Sequence, residues 1–267
     1  MDALLPDRAA VVTGAGRGIG QGIALVLARE GVDVAVGDIN VANAEATAKQ
    51  IRALGRKAIA IKADVGTRDG ADMLIALALK AFGKIDILVN NAGVVGAQGW
   101  QERPVPNDDD WQAVLRVNLM SRVYCSDAVM PHMKKRKQGR IVNIASIGGL
   151  QGGAIIPHYA ASKAADISYT QSLAAMMAPY NVTVNAILPG LTFTEMLRGI
   201  YQQRTLQNRE QSEMTPEEIL KASEMRTPMG RAQTPEDLGN AVAFLCSDYA
   251  KNVTALALDV DAGMRTH

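Results

Sequence analysis

Cysteine is almost missing from this 267-residue chain, which holds only Cys125 and Cys246. Two thiols so far apart make neither a disulfide framework nor a metal-ligand spacing, and they read as reduced core residues. Histidine is as sparse: His132, His158 and His267 are too few and too scattered for a zinc site, so no metal is expected. No uninterrupted apolar run approaches the roughly 18 residues of a membrane-spanning helix. The first seven residues carry Asp2 and Asp7 but no basic n-region or apolar h-region, unlike a secretory signal. Nor is there an excess of charge of either sign. The 28 Lys and Arg stand against 27 Asp and Glu, a formal net charge of +1, where a chain bound to a phosphate backbone would carry a basic surplus. Aromatics make up 4% against 48% hydrophobic residues in all, the composition of an aliphatic core. The expectation is a globular, cytoplasmic protein with neither a nucleic-acid nor a membrane partner.

What is present is alternation. Short β-branched runs at 9–13, 33–38, 58–62, 85–90, 140–145, 182–188 and 256–260 are separated by longer helical patterns, such as those at 19–30, 42–54 and 73–82. A parallel neighbour needs a crossover of a dozen or more residues, and such crossovers are right-handed. The predicted class is therefore α/β: a doubly wound parallel sheet of about seven strands with helices on both faces, in a single domain spanning 1–267. Two segments break the rhythm. Residues 96–110 form a polar, Pro-containing excursion, and 191–227 are much longer than a connection requires, with Met196, Leu197, Ile200, Tyr201, Met214 and Met225 among charges. Thr215-Pro216-Glu217-Glu218 is a helix-start signal, repeated at Thr234-Pro235-Glu236-Asp237. The long segment thus reads as a partly helical lid over a substrate site.

The first strand runs into Thr13-Gly14-Ala15-Gly16-Arg17-Gly18-Ile19-Gly20 and then a helix. Glycines there permit a tight turn, close approach of backbone to a pyrophosphate and close packing of helix on strand. The helix N-terminus adds free N–H groups and the positive end of its dipole. Asp38 closes the second strand with no basic residue from 39 to 48. A carboxylate there accepts from a ribose 2′-OH and repels a 2′-phosphate, which favours NAD over NADP. Arg17 pulls mildly the other way, since a cation can meet a phosphate.

The spacing of Gly14, Gly18 and Gly20 resembles the TGxxxGxG loop of the classical short-chain dehydrogenase/reductase family, and the similarity runs over essentially the whole chain. Asn90-Asn91-Ala92-Gly93 resembles that family's NNAG motif and Asp64-Val65 its acidic adenine-contacting pair. Tyr159-Ala160-Ala161-Ser162-Lys163 matches YxxxK, with Ser146 thirteen residues before the tyrosine and Asn118 in the preceding long helix. Pro189-Gly190 followed by Thr194 is similar to the PGxxxT stretch set against the nicotinamide. The resemblance implies a Rossmann-type fold, a nicotinamide cofactor held by Gly14, Arg17, Gly18, Ile19, Gly20, Asp38, Asp64, Val65, Asn91, Ala92, Gly93, Tyr159, Lys163, Pro189, Gly190 and Thr194, and a catalytic set of Ser146, Tyr159, Lys163 and Asn118. It also implies that Asn118 holds a water linking Lys163 to solvent. Two departures stand out: Ala255 and Ala262 occupy places where relatives carry glycine.

The chemistry follows from the residues. Moving hydride between a nicotinamide and a carbonyl carbon needs a general acid/base beside the oxygen. A free tyrosine, with a pKa of about 10, is too weak a base at neutral pH. Lys163 is one helical turn away and its charge favours phenolate, while Ser146 can hold the substrate oxygen. Taken singly, each of these residues also reads as a structural polar group. His158 adjoins Tyr159 but faces elsewhere and reads as structural or substrate-adjacent. The expected reaction interconverts a secondary alcohol and its ketone. The alternatives are an NADPH-dependent 3-oxoacyl-type reductase and a non-catalytic dinucleotide-binding protein. The expected pocket walls are 147–153, 94–95 and the lid, with no lysine or arginine evidently placed for a carboxylate. Apolar residues all round the helix at 111–133, and small ones along that at 159–177, point to a homo-oligomer, dimer or tetramer.

Overall fold

The computed structural model describes residues 4–207, 214–225 and 227–265; the parts of the expected lid at 208–213 and 226, and His267, lie outside them. Seven parallel strands form one sheet: β1 (Ala9–Thr13), β2 (Asp33–Asp38), β3 (Ala58–Lys62), β4 (Ile87–Asn90), β5 (Gly139–Ile144), β6 (Val182–Pro189) and β7 (Ala257–Val260), in the order β3-β2-β1-β4-β5-β6-β7. The connecting helices are α1 (Gly18–Arg29), α2 (Val41–Ala53), α3 (Arg68–Phe82), α4 (Asp108–Val114), α5 (Ser121–Arg136), α6 (Pro157–Met177), α7 (Glu195–Gln207), α8 (Pro216–Glu224) and α9 (Pro235–Cys246). Along β1 and β2 the side chains alternate between faces. Ala10, Val12, Val34 and Val36 pack under α1, α2 and α9, whereas Val11 and Ala35 pack under α3, α5 and α6. Burial on both faces is why these strands read as continuous apolar runs.

The doubly wound single domain is as expected, with small differences at the ends of strands. β4 begins two residues late because Asp86 turns inward to accept from Ala9 N at 2.9 Å. β5 ends at Ile144, so Ser146 lies beyond the strand, at the start of a short 3₁₀ turn (Ile147–Gly149). The long helix read at 111–133 is two helices joined by a π-helical turn, Leu115–Met120. Such turns occur often at functional sites. Buried amides cross-link the sheet to α6: Asn90 Nδ2 donates to Asn143 Oδ1 at 2.8 Å, and Asn143 Nδ2 to Thr170 Oγ1 at 2.8 Å.

The segment after β6 is partly helical, as the cap signals predict. Thr215 and Glu218 form a reciprocal capping box at α8. Leu191, Tyr201 and Ile219 give α7 and α8 a small core of their own. Among the described residues no helix is long and apolar enough to cross a membrane, and no group of three or more His, Cys, Asp or Glu is placed to hold a metal.

The two alanines noted above stand in left-handed backbone, at φ +61° for Ala255 and +56° for Ala262. An L-residue pays about 1–2 kcal/mol for that conformation, partly offset by the entropy glycine would lose on folding. Ala255→Gly is therefore expected to stabilise the fold by about 0.5–1 kcal/mol, read as a higher urea midpoint at unchanged slope.

Candidate active site

β1 pairs with β2 on one side and β4 on the other, so the chain leaves the sheet in opposite directions at the carboxyl ends of β1 and β4. An open α/β sheet binds ligands in the crevice formed there. Thr13 at the end of β1 holds that crevice together. Its Oγ1 accepts from Asn91 N and Ala92 N, both at 3.0 Å, while Asn91 Nδ2 donates to the carbonyls of Thr13 and Gly14 at 3.0 Å. Gly14 is left-handed at φ +61°, and a Cβ on Gly20 would lie 2.3 Å from Gly14 O, so neither position admits a side chain.

The loop fits a pyrophosphate. At α2, α3, α4, α8 and α9 a side chain caps the first turn, but Arg17, at the corresponding place on α1, supplies no acceptor and is exposed. The first-turn N–H groups of α1 are thereby left for an anion. Asp38 borders the same loop, Oδ2 accepting from Gly16 N and Oδ1 from Asn40 N, each at 2.9 Å. Asp64, after β3, is paired with Arg116 at 2.9 Å beside buried Val65. Thr194 crosses the glycine loop, its Cγ2 3.6 Å from where a side chain on Gly18 would begin. Pro189 ends β6, and Gly190 N donates to Val260 O at 3.0 Å.

The catalytic candidates gather at the ends of β4 and β5. Ser146 stands near enough to Tyr159 to favour its phenolate form, and Ser146 Oγ accepts from Gly148 N at 3.1 Å. Lys163 Nζ sits 5.7 Å from the centre of the Tyr159 ring and donates to Ile144 O at 2.7 Å. Burial pushes the Tyr159 hydroxyl up and pulls the Lys163 ammonium down to about 7, the nearby Arg122 charge adding to the latter. Burial thus biases both groups toward their neutral forms, an effect the sequence does not show. Asn118, fully buried in the π-helical turn, accepts from Val94 N at 2.8 Å and donates to Val94 O at 2.9 Å and Ser162 Oγ at 3.0 Å. Ser162 in turn donates to Tyr159 O at 2.7 Å. A Cβ on Gly93 would lie 3.4 Å from Asn118 Oδ1 and 3.9 Å from Lys163 Nζ, so these three adjoin one point.

Arg122 and Asp166, which the sequence did not single out, lie fully buried beneath this cluster with Nε 3.1 Å from Oδ2. The only available signal was an arginine within an apolar helical pattern. A cleft of about 250 Å³ opens beside the Ser146 turn, lined by Ile147, Gly148, Gln151, Gly152, Met264 and Arg265. Ile147 to Gly152 belong to the expected wall. Met264 and Arg265 do not, and they bring a guanidinium to a place where none was expected. Asp261 directs them there, its Oδ2 accepting from Arg265 N at 2.8 Å. His158 is buried against Trp111, ring centres 5.9 Å apart.

Comparison with known proteins agrees with this geometry. Residues 8–205 match the family model described as short chain dehydrogenase. The chain is 35% identical over 266 residues to L-rhamnose 1-dehydrogenase (NAD(P)(+)) of Azotobacter vinelandii, covering 98% of each. It is 35% identical to a 3-oxoacyl-(acyl-carrier-protein) reductase of Chlamydia pneumoniae, covering 99% of each. The structure of an NAD+-bound xylitol dehydrogenase superposes with a TM-score of 0.87 at 32% identity, over 97% of this chain and 99% of that one. The chain belongs to the short chain dehydrogenase family, as an oxidoreductase that moves a hydride between a nicotinamide cofactor and a CH–OH group.

Proposed function

We propose that the chain is an NAD-preferring dehydrogenase of a secondary alcohol, acting on a polyol or sugar, with Tyr159 as the general acid/base. The observation that carries this reading is Lys163 Nζ standing 5.7 Å from the centre of the Tyr159 ring while anchored on Ile144 O at 2.7 Å. The nicotinamide ring, when bound, accepts or donates the hydride. The substrate oxygen is held between the Ser146 and Tyr159 hydroxyls. In oxidation Tyr159 takes the alcohol proton, and in reduction it returns it. Ser146 stabilises the charge that develops on that oxygen. Lys163 steadies the phenolate, and Asn118 holds Val94 and the Tyr159 turn in place while carrying the water that links Lys163 to solvent. Gly14, Arg17, Gly18, Ile19 and Gly20 cradle the pyrophosphate, Asp38 takes the ribose and Asp64 and Val65 the adenine. Asn91, Ala92, Gly93, Pro189, Gly190 and Thr194 seat the nicotinamide end, under a lid built on α7 and α8.

Gln151 and Arg265 on the cleft wall support a substrate rich in oxygen, in keeping with the rhamnose and xylitol relatives. Similarity to the Chlamydia reductase supports the second reading, an NADPH-linked 3-oxoacyl reductase. Exposed Trp111 and Leu115, with Met176 on α6, support a homo-oligomer, dimer or tetramer, assembled through these helices. The first test is an absorbance screen at the nicotinamide band, with NAD and with NADP, over a panel of secondary alcohols and polyols. Asp38→Asn removes the charge that repels a 2′-phosphate, and the NAD-to-NADP ratio of kcat/KM is expected to fall about tenfold or more. A ratio that hardly moves would favour the NADPH reading.

A further inference from the structure

We propose that Arg122 and Asp166 are positioning residues that set the pH at which Tyr159 exchanges protons, acting in opposite senses. The proposal rests on Tyr159 being the acid/base group, and goes beyond it by assigning the tuning to a pair that touches neither substrate nor cofactor.

The placement of the pair is specific. Arg122 on α5 and Asp166 on α6 are both 0% exposed, Nε to Oδ2 3.1 Å. Arg122 Nη1 donates to Ala92 O at 2.6 Å and to Val117 O at 2.9 Å, and Nη2 donates to Ile144 O at 3.3 Å. One guanidinium therefore ties together the segment after β4, the residue before Asn118 and the end of β5. Ile144 O is also the acceptor of Lys163 Nζ at 2.7 Å, so the arginine and the lysine share one carbonyl. Asp166 lies three residues beyond Lys163 on α6, on a neighbouring part of the same helix surface.

Stability does not explain the pair. Burying two charges costs desolvation that their attraction roughly cancels, and apolar residues of similar volume commonly serve as well or better. Asp166 Oδ1, moreover, has no hydrogen-bond partner among the described residues, which adds to the cost. Electrostatics gives the pair a purpose. The positive charge of Arg122 favours phenolate at Tyr159 and disfavours ammonium at Lys163, and the negative charge of Asp166 does the reverse. Both residues act on both groups in those directions. Two other titratable groups on the packed elements also feel the pair, Cys125 the charge of Arg122 and Tyr169 that of Asp166, while His158 lies against Trp111. Because Tyr159 and Lys163 are coupled, the observable is the acid limb of their joint titration.

The test is the pH profile of kcat/KM for oxidation with NAD and the best alcohol of the panel, alongside an ultraviolet tyrosinate titration with Tyr159→Phe as blank in each background. Oxidation needs phenolate, so Asp166→Asn is expected to move the acid limb down by about one pH unit and Arg122→Met to move it up by about one. Each single change strands a buried charge, so the double variant Arg122→Met/Asp166→Leu keeps the test decisive where a single one fails to fold. Arg122 exerts the larger effect on both groups, and the double variant should move the limb up by less than Arg122→Met. Unchanged limbs, or single variants that shift in the same direction as general loosening would produce, overturn the proposal. Should Tyr159→Phe itself retain activity, the assignment of the acid/base group fails, which is a separate outcome.

Discussion

Tyr159→Phe is expected to lower kcat/KM by about 10³-fold in both directions of reaction, while NADH binding and the thermal midpoint stay near those of the parent. The hydroxyl is the one atom lost, and neighbouring Ser146 keeps the bond it accepts from Gly148 N, so no buried group is stranded. The ring remains to fill the site beside Lys163. What disappears is the hydroxyl proposed both to hold the substrate oxygen with Ser146 and to take its proton. Stopped-flow measurement of hydride transfer, with binding of NADH followed by fluorescence, separates the two effects. Retention of most of the turnover would remove the mechanism.

Lys163→Met is expected to cost about 10²- to 10⁴-fold in activity and yet to stabilise the protein. The folded chain holds the lysine pKa down at about 7 against its ordinary 10.5. Between those values the unfolded chain is protonated and the folded chain is not, so stability rises with pH across the window and is lowest below about pH 7. The penalty at low pH is of order 4–5 kcal/mol, at 1.36 kcal/mol per pKa unit. Methionine removes it and gives up the bond to Ile144 O, about 1–3 kcal/mol, though that carbonyl keeps the Arg122 contact at 3.3 Å. The net gain should be about 2 kcal/mol at pH 6, pass through zero near about pH 8 to 9 and become a net loss of about 1–3 kcal/mol by about pH 11. Urea titrations of both proteins at the two pH values measure it. A variant less stable than the parent at pH 6 would mean that the buried ammonium is better solvated than its surroundings indicate.

The strands and the glycine loop were legible along the chain because their signals are local. A β-branched run of five residues, or glycines between a strand and a helix, describes its own environment. The proposed acid/base pair was visible for a similar reason, since Tyr159 and Lys163 are one helical turn apart. The strand read at 140–145 stops at Ile144, and Ser146 opens the next turn. Arg122 was not legible as part of the site. Its acceptors Ala92 and Ile144 and its partner Asp166 lie 30, 22 and 44 residues away in the chain, and no local pattern announces them. Met264 and Arg265 were missed because only the return of the chain after β7 brings them beside Ile147.

From its residues alone, this protein's alternating architecture was already determined, and its glycine turn and the Tyr159–Lys163 pair proposed for proton transfer were already visible, because each depends on neighbours within a few positions. Tertiary structure decided how charged that pair is and what surrounds it. Burial, the shared Ile144 carbonyl and the Arg122–Asp166 pair beneath it are products of long-range packing, and electrostatic energies depend on distance in space and on exclusion of water, neither of which the order of residues reveals.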